Sequence, residues 1–152
     1  MSKNTQIANQ LTQVLSTFVD FYYNYKFFHW NITGMDFIQF HKLFDEHATI
    51  IYPSQDIIAE RIRQLDCIAI GDLSDFKKNS ILDQKKPETC DDFRVILEFL
   101  KNQHDKSIQF LSQVIDKTSE EKDFATADLL TTFLEDHQKM NYFIASHLPK
   151  KN

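Results

Sequence analysis

The stretch "HKLFDEHATIIYPSQDIIAERI", residues 41–62, decides the fold. It reads as one long helix, with Pro53 inside it at a place where a helix loses one hydrogen bond and can kink. Among its large apolar residues stand His41, Asp45, Asp56 and Glu60, each a potential metal ligand or acid–base group. On a helical wheel these four fall at about 0°, 40°, 60° and 100°, so they share one face. Along the axis, Asp45 and Asp56 are eleven residues apart, which is ~16 Å at the standard rise. Metal–ligand bonds are only ~2 to 2.5 Å long, so the two pairs of one chain cannot hold the same ion.

The pairs are nevertheless symmetric about the point between Ile50 and Ile51. A copy of the helix laid antiparallel on it places His41 and Asp45 of one chain opposite Glu60 and Asp56 of the other. An isologous two-fold interface produces such pairing, and it would create two identical sites per dimer. Upstream, Ile7, Leu11, Val14, Leu15, Phe18, Val19, Tyr22 and Tyr25 recur at helical spacing and mark an amphipathic helix over residues 6–32. His29 continues that apolar stripe, so a hairpin turning at "NITGM" brings it near His41. His29, His41, Asp45, Asp56 and Glu60 form a mixed nitrogen and oxygen set that suits ferrous iron, manganese or zinc better than copper(I). One histidine on an apolar face is more often a core residue, and one acidic pair is more often a solvated surface. Five candidates brought together by one symmetry operation carry more weight than any one alone.

The rest of the 152-residue chain fits a single all-α domain, residues 1–152, with short tails at 1–5 and 149–152. Only 2 Gly and 3 Pro interrupt it, while 14 Phe and 5 Tyr supply core material. Gly34 and Asp36 in "TGMD" end the first helix and cap a second over Phe37–Leu65. A long connector, 66–89, carries a short helix around "LSDFKK". "ETCDDFRVILEFLKNQHDKSIQFLSQVI" opens with a cap signal and predicts a third helix, "DKTSEEKDF" a polar break, and "ATADLLTTFLEDHQKMNYFIASHL" a fourth. Four helices with a long connection between the second and third predict a ferritin-like four-helix bundle.

The net charge of −5 and scattered basic residues argue against strong nucleic-acid binding and suit a protein that attracts cations. Cys67 and Cys90 lack metal-finger spacing and read as reduced structural thiols. No signal-like core and no run of about 18 apolar residues is present, which predicts a cytoplasmic protein with no membrane partner.

"FHWNITGMDFIQFHKLFDEH" and "DIIAERIRQL" resemble the Dps family, the DNA-binding proteins from starved cells, also called mini-ferritins. The motif is His29–Trp30, Thr33–Gly34, His41, Asp45 and the run Asp56 to Ile62. This resemblance implies a hollow dodecameric shell with ferroxidase centres at its two-fold interfaces. Both the metal-binding and the catalytic residues would then be His29, His41 and Asp45 of one chain with Asp56 and Glu60 of its neighbour. Family members oxidise ferrous iron, typically preferring hydrogen peroxide to dioxygen, and store the ferric mineral inside. They thereby serve iron homeostasis and protect the cell from oxidative damage. A conventional ferritin centre uses Glu-x-x-His within one bundle, and no Glu here has His three residues later.

Other positions leave two readings open. Trp30 and Tyr52 suit an electron or radical relay near the centre, or amphipathic aromatics at a dimer seam. Glu121, Asp123 and Asp128 resemble the acidic lining of the family's iron pores, or are a solvated helix start. The chain departs from the family at Asp66–Cys67, where Gly-Gly is common, and at an N-terminus with only Lys3. The C-terminal "PKKN" adds two lysines. DNA binding is therefore expected to be weak or absent, with a DNA-coating, nucleoid-associated shell of little turnover as the alternative.

Overall fold

A computed structural model describes residues 1–82 and 85–149. The helices are α1 (Lys3–Asn31), α2 (Phe37–Gln64), α3 (Leu73–Asn79), α4 (Phe93–Glu120) and α5 (Phe124–Ser146). Four long helices form a bundle, and the short α3 lies in the connection between α2 and α4, as the sequence predicts. Lys150 and Lys151, and with them most of the expected C-terminal tail, lie outside the described residues. No helix among the described residues is long and apolar enough to cross a membrane.

Two antiparallel hairpins, α1–α2 and α4–α5, pack so that α1 borders α4 and α2 borders α5. Leu11, Phe18, Phe21 and Phe28 of α1 are buried against Phe44, Ile58 and Ile62 of α2 and Ile96, Leu100 and Leu111 of α4. Each such side chain contributes about 1.5–3 kcal/mol when withdrawn from water. The connection from α2 to α4 travels the length of the bundle. It leaves beside the start of α1, where Asn4 Nδ2 donates to the Leu65 carbonyl at 3.5 Å. Midway, Lys77 Nζ and Ser80 Oγ both reach Asp20 Oδ2, at 3.2 and 3.0 Å. It arrives at the α1–α2 turn, where Thr33 N–H donates to the Cys90 carbonyl at 3.0 Å.

Helix ends differ from expectation in instructive ways. α1 starts at Lys3 because Ser2 Oγ accepts the Thr5 N–H at 3.2 Å, so the expected tail 1–5 shrinks to two residues. α4 starts at Phe93, later than the cap signal suggested, because Asp92 is the residue whose carboxylate accepts from Arg94 and Val95. Asp36 sits at the cap of α2 without a side-chain capping bond. α2 stays helical through Pro53, whose missing N–H falls on an exposed part of the helix. The predicted break at 116–124 narrows to three residues. Thr118 carries α4 through it, buried with its hydroxyl donating to Val114 and Ile115 carbonyls, both at 3.0 Å.

Both α2 and α4 end in the same paired-bond cap. Cys67 N–H bonds to the Ile62 carbonyl at 3.2 Å and Asp66 N–H to Arg63 at 3.0 Å. At the end of α4, Asp123 N–H bonds to Thr118 and Lys122 N–H to Ser119, each at 2.9 Å. This arrangement needs a left-handed residue, usually glycine. Here Asp66 (φ 61°) and Lys122 (φ 58°) fill it. The departure from Gly-Gly at residue 66 thus falls where a glycine would be least strained.

The middle of the bundle is polar. Each long helix contributes one buried group to a chain: His47 Nδ1 to Tyr25 Oη at 2.9 Å, Tyr25 Oη to His104 Nε2 at 2.6 Å, and His104 Nδ1 to His137 Nδ1 at 3.1 Å. Three protons satisfy these three contacts when every imidazole is neutral, with donation running from His47 towards His137 or in reverse. Phe18 and Phe21 close over the rings. Burial pushes His47 down to about 4 and His137 down to about 3, with neighbouring histidines adding to the effect, and holds His104 well below the usual value.

Two predictions follow from these contacts. Lys122→Gly relieves the left-handed conformation and should raise stability by about 1 kcal/mol, read as a higher urea midpoint; an unchanged or lower midpoint counts against the strain. Below about pH 6.5 the unfolded chain binds protons that the folded core refuses. Stability is therefore full above that pH and declines as pH falls towards 4. His137→Leu should flatten the slope of Tm against pH between about 6.5 and 4.5. A slope as steep as that of the parent would mean His137 does not resist protonation.

Candidate metal centre

The α1–α2 hairpin brings His29 and His41 together. His29 Nδ1–H donates to the His41 carbonyl at 2.7 Å, and His41 Nδ1–H donates to the His29 carbonyl at 2.8 Å. A carbonyl only accepts, so the hydrogen lies on Nδ1 of each ring, and in the neutral imidazole the lone pair is on Nε2. Such a backbone partner fixes a metal-binding imidazole in the required tautomer. The rings stack with centroids 3.9 Å apart, and Phe37 packs against His41. The His29 carbonyl is available because α1 ends just beyond it and Thr33 N–H goes to Cys90 instead.

Asp45 lies one turn after His41 and is half exposed. Its Oδ1 is 3.9 Å from His29 Nε2 and 2.7 Å from Lys26 Nζ. The Lys26 hydrogen bond holds the Asp45 carboxyl below the usual range. His29, His41 and Asp45 therefore meet at one end of the hairpin. Asp56 and Glu60 lie further along α2, exposed, with no ion-pair partner among the described residues. Within a single chain, no group of three or more His, Cys, Asp and Glu among the described residues is placed to hold a metal ion.

On the face of α2 that carries the two pairs, Tyr52 lies between them and is 62% exposed; Ile57, which follows Asp56, is 43% exposed. Tyr52 stacks obliquely on Tyr22, and Trp30, beside His29, has the Lys26 ammonium 5.9 Å from its ring. Asp123 is more engaged than the pore reading assumed. Its Oδ1 accepts from Arg61 Nη2 at 2.8 Å and Thr126 N–H at 3.2 Å, and Oδ2 accepts the Thr126 hydroxyl at 2.6 Å. Burial opposes its ionisation, but the Thr126 bonds and Arg61 outweigh it and hold its carboxyl low. Asp123 is the cap of α5 and ties it to α2, whereas Glu121 and Asp128 remain exposed.

Sequence reasoning missed Lys26, and it assigned no role to His47, His104 and His137. Neither omission had a local signal to correct it, since their partners lie on other helices. His147 is accounted for by bonds to Gln39 Nε2 and the Phe143 carbonyl. Cys67 and Cys90 are free and half-buried.

Two antiparallel hairpins of long helices, joined by a connection that crosses the bundle, define a ferritin-like protein. Residues 8–151 match the ferritin-like domain family, and the chain belongs to it. It is 29% identical over 144 residues to the DNA protection during starvation protein of Agrobacterium fabrum, covering 93% of this chain and 87% of that one. The protein of that name from Mycolicibacterium smegmatis is 28% identical over 146 residues, covering 96% and 79%. The structure of Dps from Thermosynechococcus elongatus superposes with a TM-score of 0.91 at 28% identity, covering 99% of this chain and 98% of that one. The Dps resemblance carried by the motif of residues 29–62 therefore holds.

Removing the Arg61 guanidinium leaves the half-buried Asp123 carboxylate without a counter-charge, held only by Thr126. Arg61→Met should cost about 1–3 kcal/mol, measured by chemical denaturation. A loss within about 0.5 kcal/mol, the range of an ordinary surface change, would mean the clasp is not structural.

Proposed function

We infer that the protein is an iron-storage and detoxification protein of the Dps kind, with a ferroxidase centre shared between two chains. The observation that carries this reading is the reciprocal His29–His41 bond, which uses Nδ1 of each ring and leaves each Nε2 open, that of His29 3.9 Å from Asp45 Oδ1. Unpaired Asp56 and Glu60 stand at the symmetric positions of the same helix. An antiparallel two-fold pairing across the face that exposes Tyr52 would bury apolar surface and complete the ligand set at once. A closed homo-oligomeric shell, dodecameric by the family resemblance, would repeat that pairing and enclose a store.

In this reading ferrous iron is the substrate. The imidazoles hold it through neutral nitrogen, and the three carboxylates compensate the extra positive charge as iron becomes ferric. Two ferrous ions supply the two electrons that reduce one hydrogen peroxide to two hydroxides, so no hydroxyl radical need be released. Dioxygen is the weaker alternative oxidant. Glu121 and Asp128 remain available to draw cations inward, and Trp30 and Tyr52 to intercept stray oxidising equivalents.

The names of the curated relatives favour a second reading, a shell that coats DNA. With a net charge of −5, and Lys3 as the one basic residue in the first ten, such binding should be weak and lost at physiological salt. A gel shift that persists there would give this reading priority.

The deciding experiment is an anaerobic ferrous titration followed by hydrogen peroxide, recording ferric absorbance and iron solubility together. Rapid oxidation yielding soluble iron well beyond the number of sites, lost in Asp56→Ala/Glu60→Ala, is the expected result. Oxidation no faster than buffer, with iron precipitating, would remove the ferroxidase reading.

A further inference from the structure

The one carboxylate that a chain places beside its two imidazoles already has a cation on it. Lys26 rises from α1 one turn before His29, and its Nζ lies 2.7 Å from Asp45 Oδ1, the oxygen that faces His29 Nε2 at 3.9 Å. The lysine side chain is only 17% exposed whereas Asp45 is 49% exposed, so the contact is approached from inside the hairpin and not from solvent. Trp30, one turn along the same helix, has its ring centroid 5.9 Å from the ammonium. A flexible surface lysine would leave Asp45 free for much of the time; this one is packed into place.

We propose that Lys26 is a positioning residue for the shared centre, whose ammonium serves as a resident counter-cation on Asp45 and is displaced when a divalent ion is bound. The proposal rests on the ferroxidase reading and adds to it a determinant of affinity. With the ammonium in place, the half-site of one chain is close to neutral and Asp45 is held aimed at His29. An arriving ion must take Asp45 from Lys26, or bind with a positive charge a few ångströms away. Either route weakens binding relative to a site built from the five ligands alone. Weak binding suits an ion that is a substrate, because the ferric product has to leave for the store.

The test uses the full assembled protein and Co²⁺ as an air-stable probe, with affinity read by calorimetry and by the visible spectrum of the bound ion. Lys26→Met keeps the packed stem and removes the charge, so Co²⁺ should bind roughly tenfold more tightly or better. Lys26→Arg should stay within about threefold of the parent, since it restores a cation on Asp45. Lys42→Met removes an exposed charge next to His41 and controls for a general effect of net charge; it should change affinity less than about twofold. In an Asp45→Asn background the gain from Lys26→Met should vanish, because the lysine acts through that carboxylate.

The outcomes separate the two claims. Binding that depends on His41 but is equally tight in the parent and in Lys26→Met overturns the role of Lys26 and leaves the centre standing. An equal gain in Lys42→Met, or one that survives Asp45→Asn, also overturns it. Absence of any His41-dependent binding in every variant overturns both.

Discussion

The candidate centre depends on one exchange of hydrogen bonds, each imidazole of His29 and His41 donating to the other's backbone carbonyl. For that exchange α1 must stop soon after His29, so that its carbonyl is an orphan of the helix end and not part of the ladder. Gly34 makes the stop possible. Its φ of +122° lies outside the range of other residues, and a Cβ there would come within 3.0 Å of the Phe93 ring. Phe93 in turn stacks on Phe40 of α2, with centroids 4.6 Å apart. The tautomer of two imidazoles is thus traceable to a turn, a glycine and the arrival of the α2–α4 connection over that turn.

The same bundle holds two histidine clusters with opposite constraints. His47, His104 and His137 are enclosed, bonded to one another or to Tyr25, and kept neutral by burial. Both nitrogens of His104 and one each of His47 and His137 join four helices at one level, which gives the core a fixed register at the expense of acid stability. His29 and His41 sit at the rim, where the backbone occupies only one nitrogen each. What separates a core imidazole from a candidate ligand here is which atom answers Nδ1, and not exposure alone. The position is half-buried in the second case, enough to orient the ring and not enough to close Nε2 from a partner.

Much of this was legible in the sequence because it is periodic and local. The apolar spacing of residues 6–32 and 41–62, the scarcity of glycine and the turn at "TGMD" led to the correct helices and hairpin. The impossibility of a one-chain site followed from helical rise alone. Contacts between helices were not legible. Tyr25 and His104 are 79 residues apart in sequence, and His104 and His137 are 33 apart, so neither residue announces its partner. Lys26 carries no signal in the sequence, and only the hairpin places Asp45 against it. Asp123 looked available because its acidity was visible while Arg61 and Thr126, on the neighbouring helix and in the next turn, were not yet positioned.

If the centre is split across a two-fold axis, as proposed, the fold and the chemistry fail separately. The single chain has its core and both imidazoles in place, yet among the described residues it holds no group of three ligands placed for a metal ion. Under the proposed function, the unassembled protein would then neither bind iron tightly nor oxidise it in the open, where ferric product would precipitate. The Lys26–Asp45 pair extends this logic to the half-site itself, since a neutralised carboxylate is a poor trap for cations until Asp56 and Glu60 of a second chain add two negative charges opposite it. Assembly thereby changes the charge of the site as well as its ligand count. Affinity would appear only where the shell that receives the product already exists.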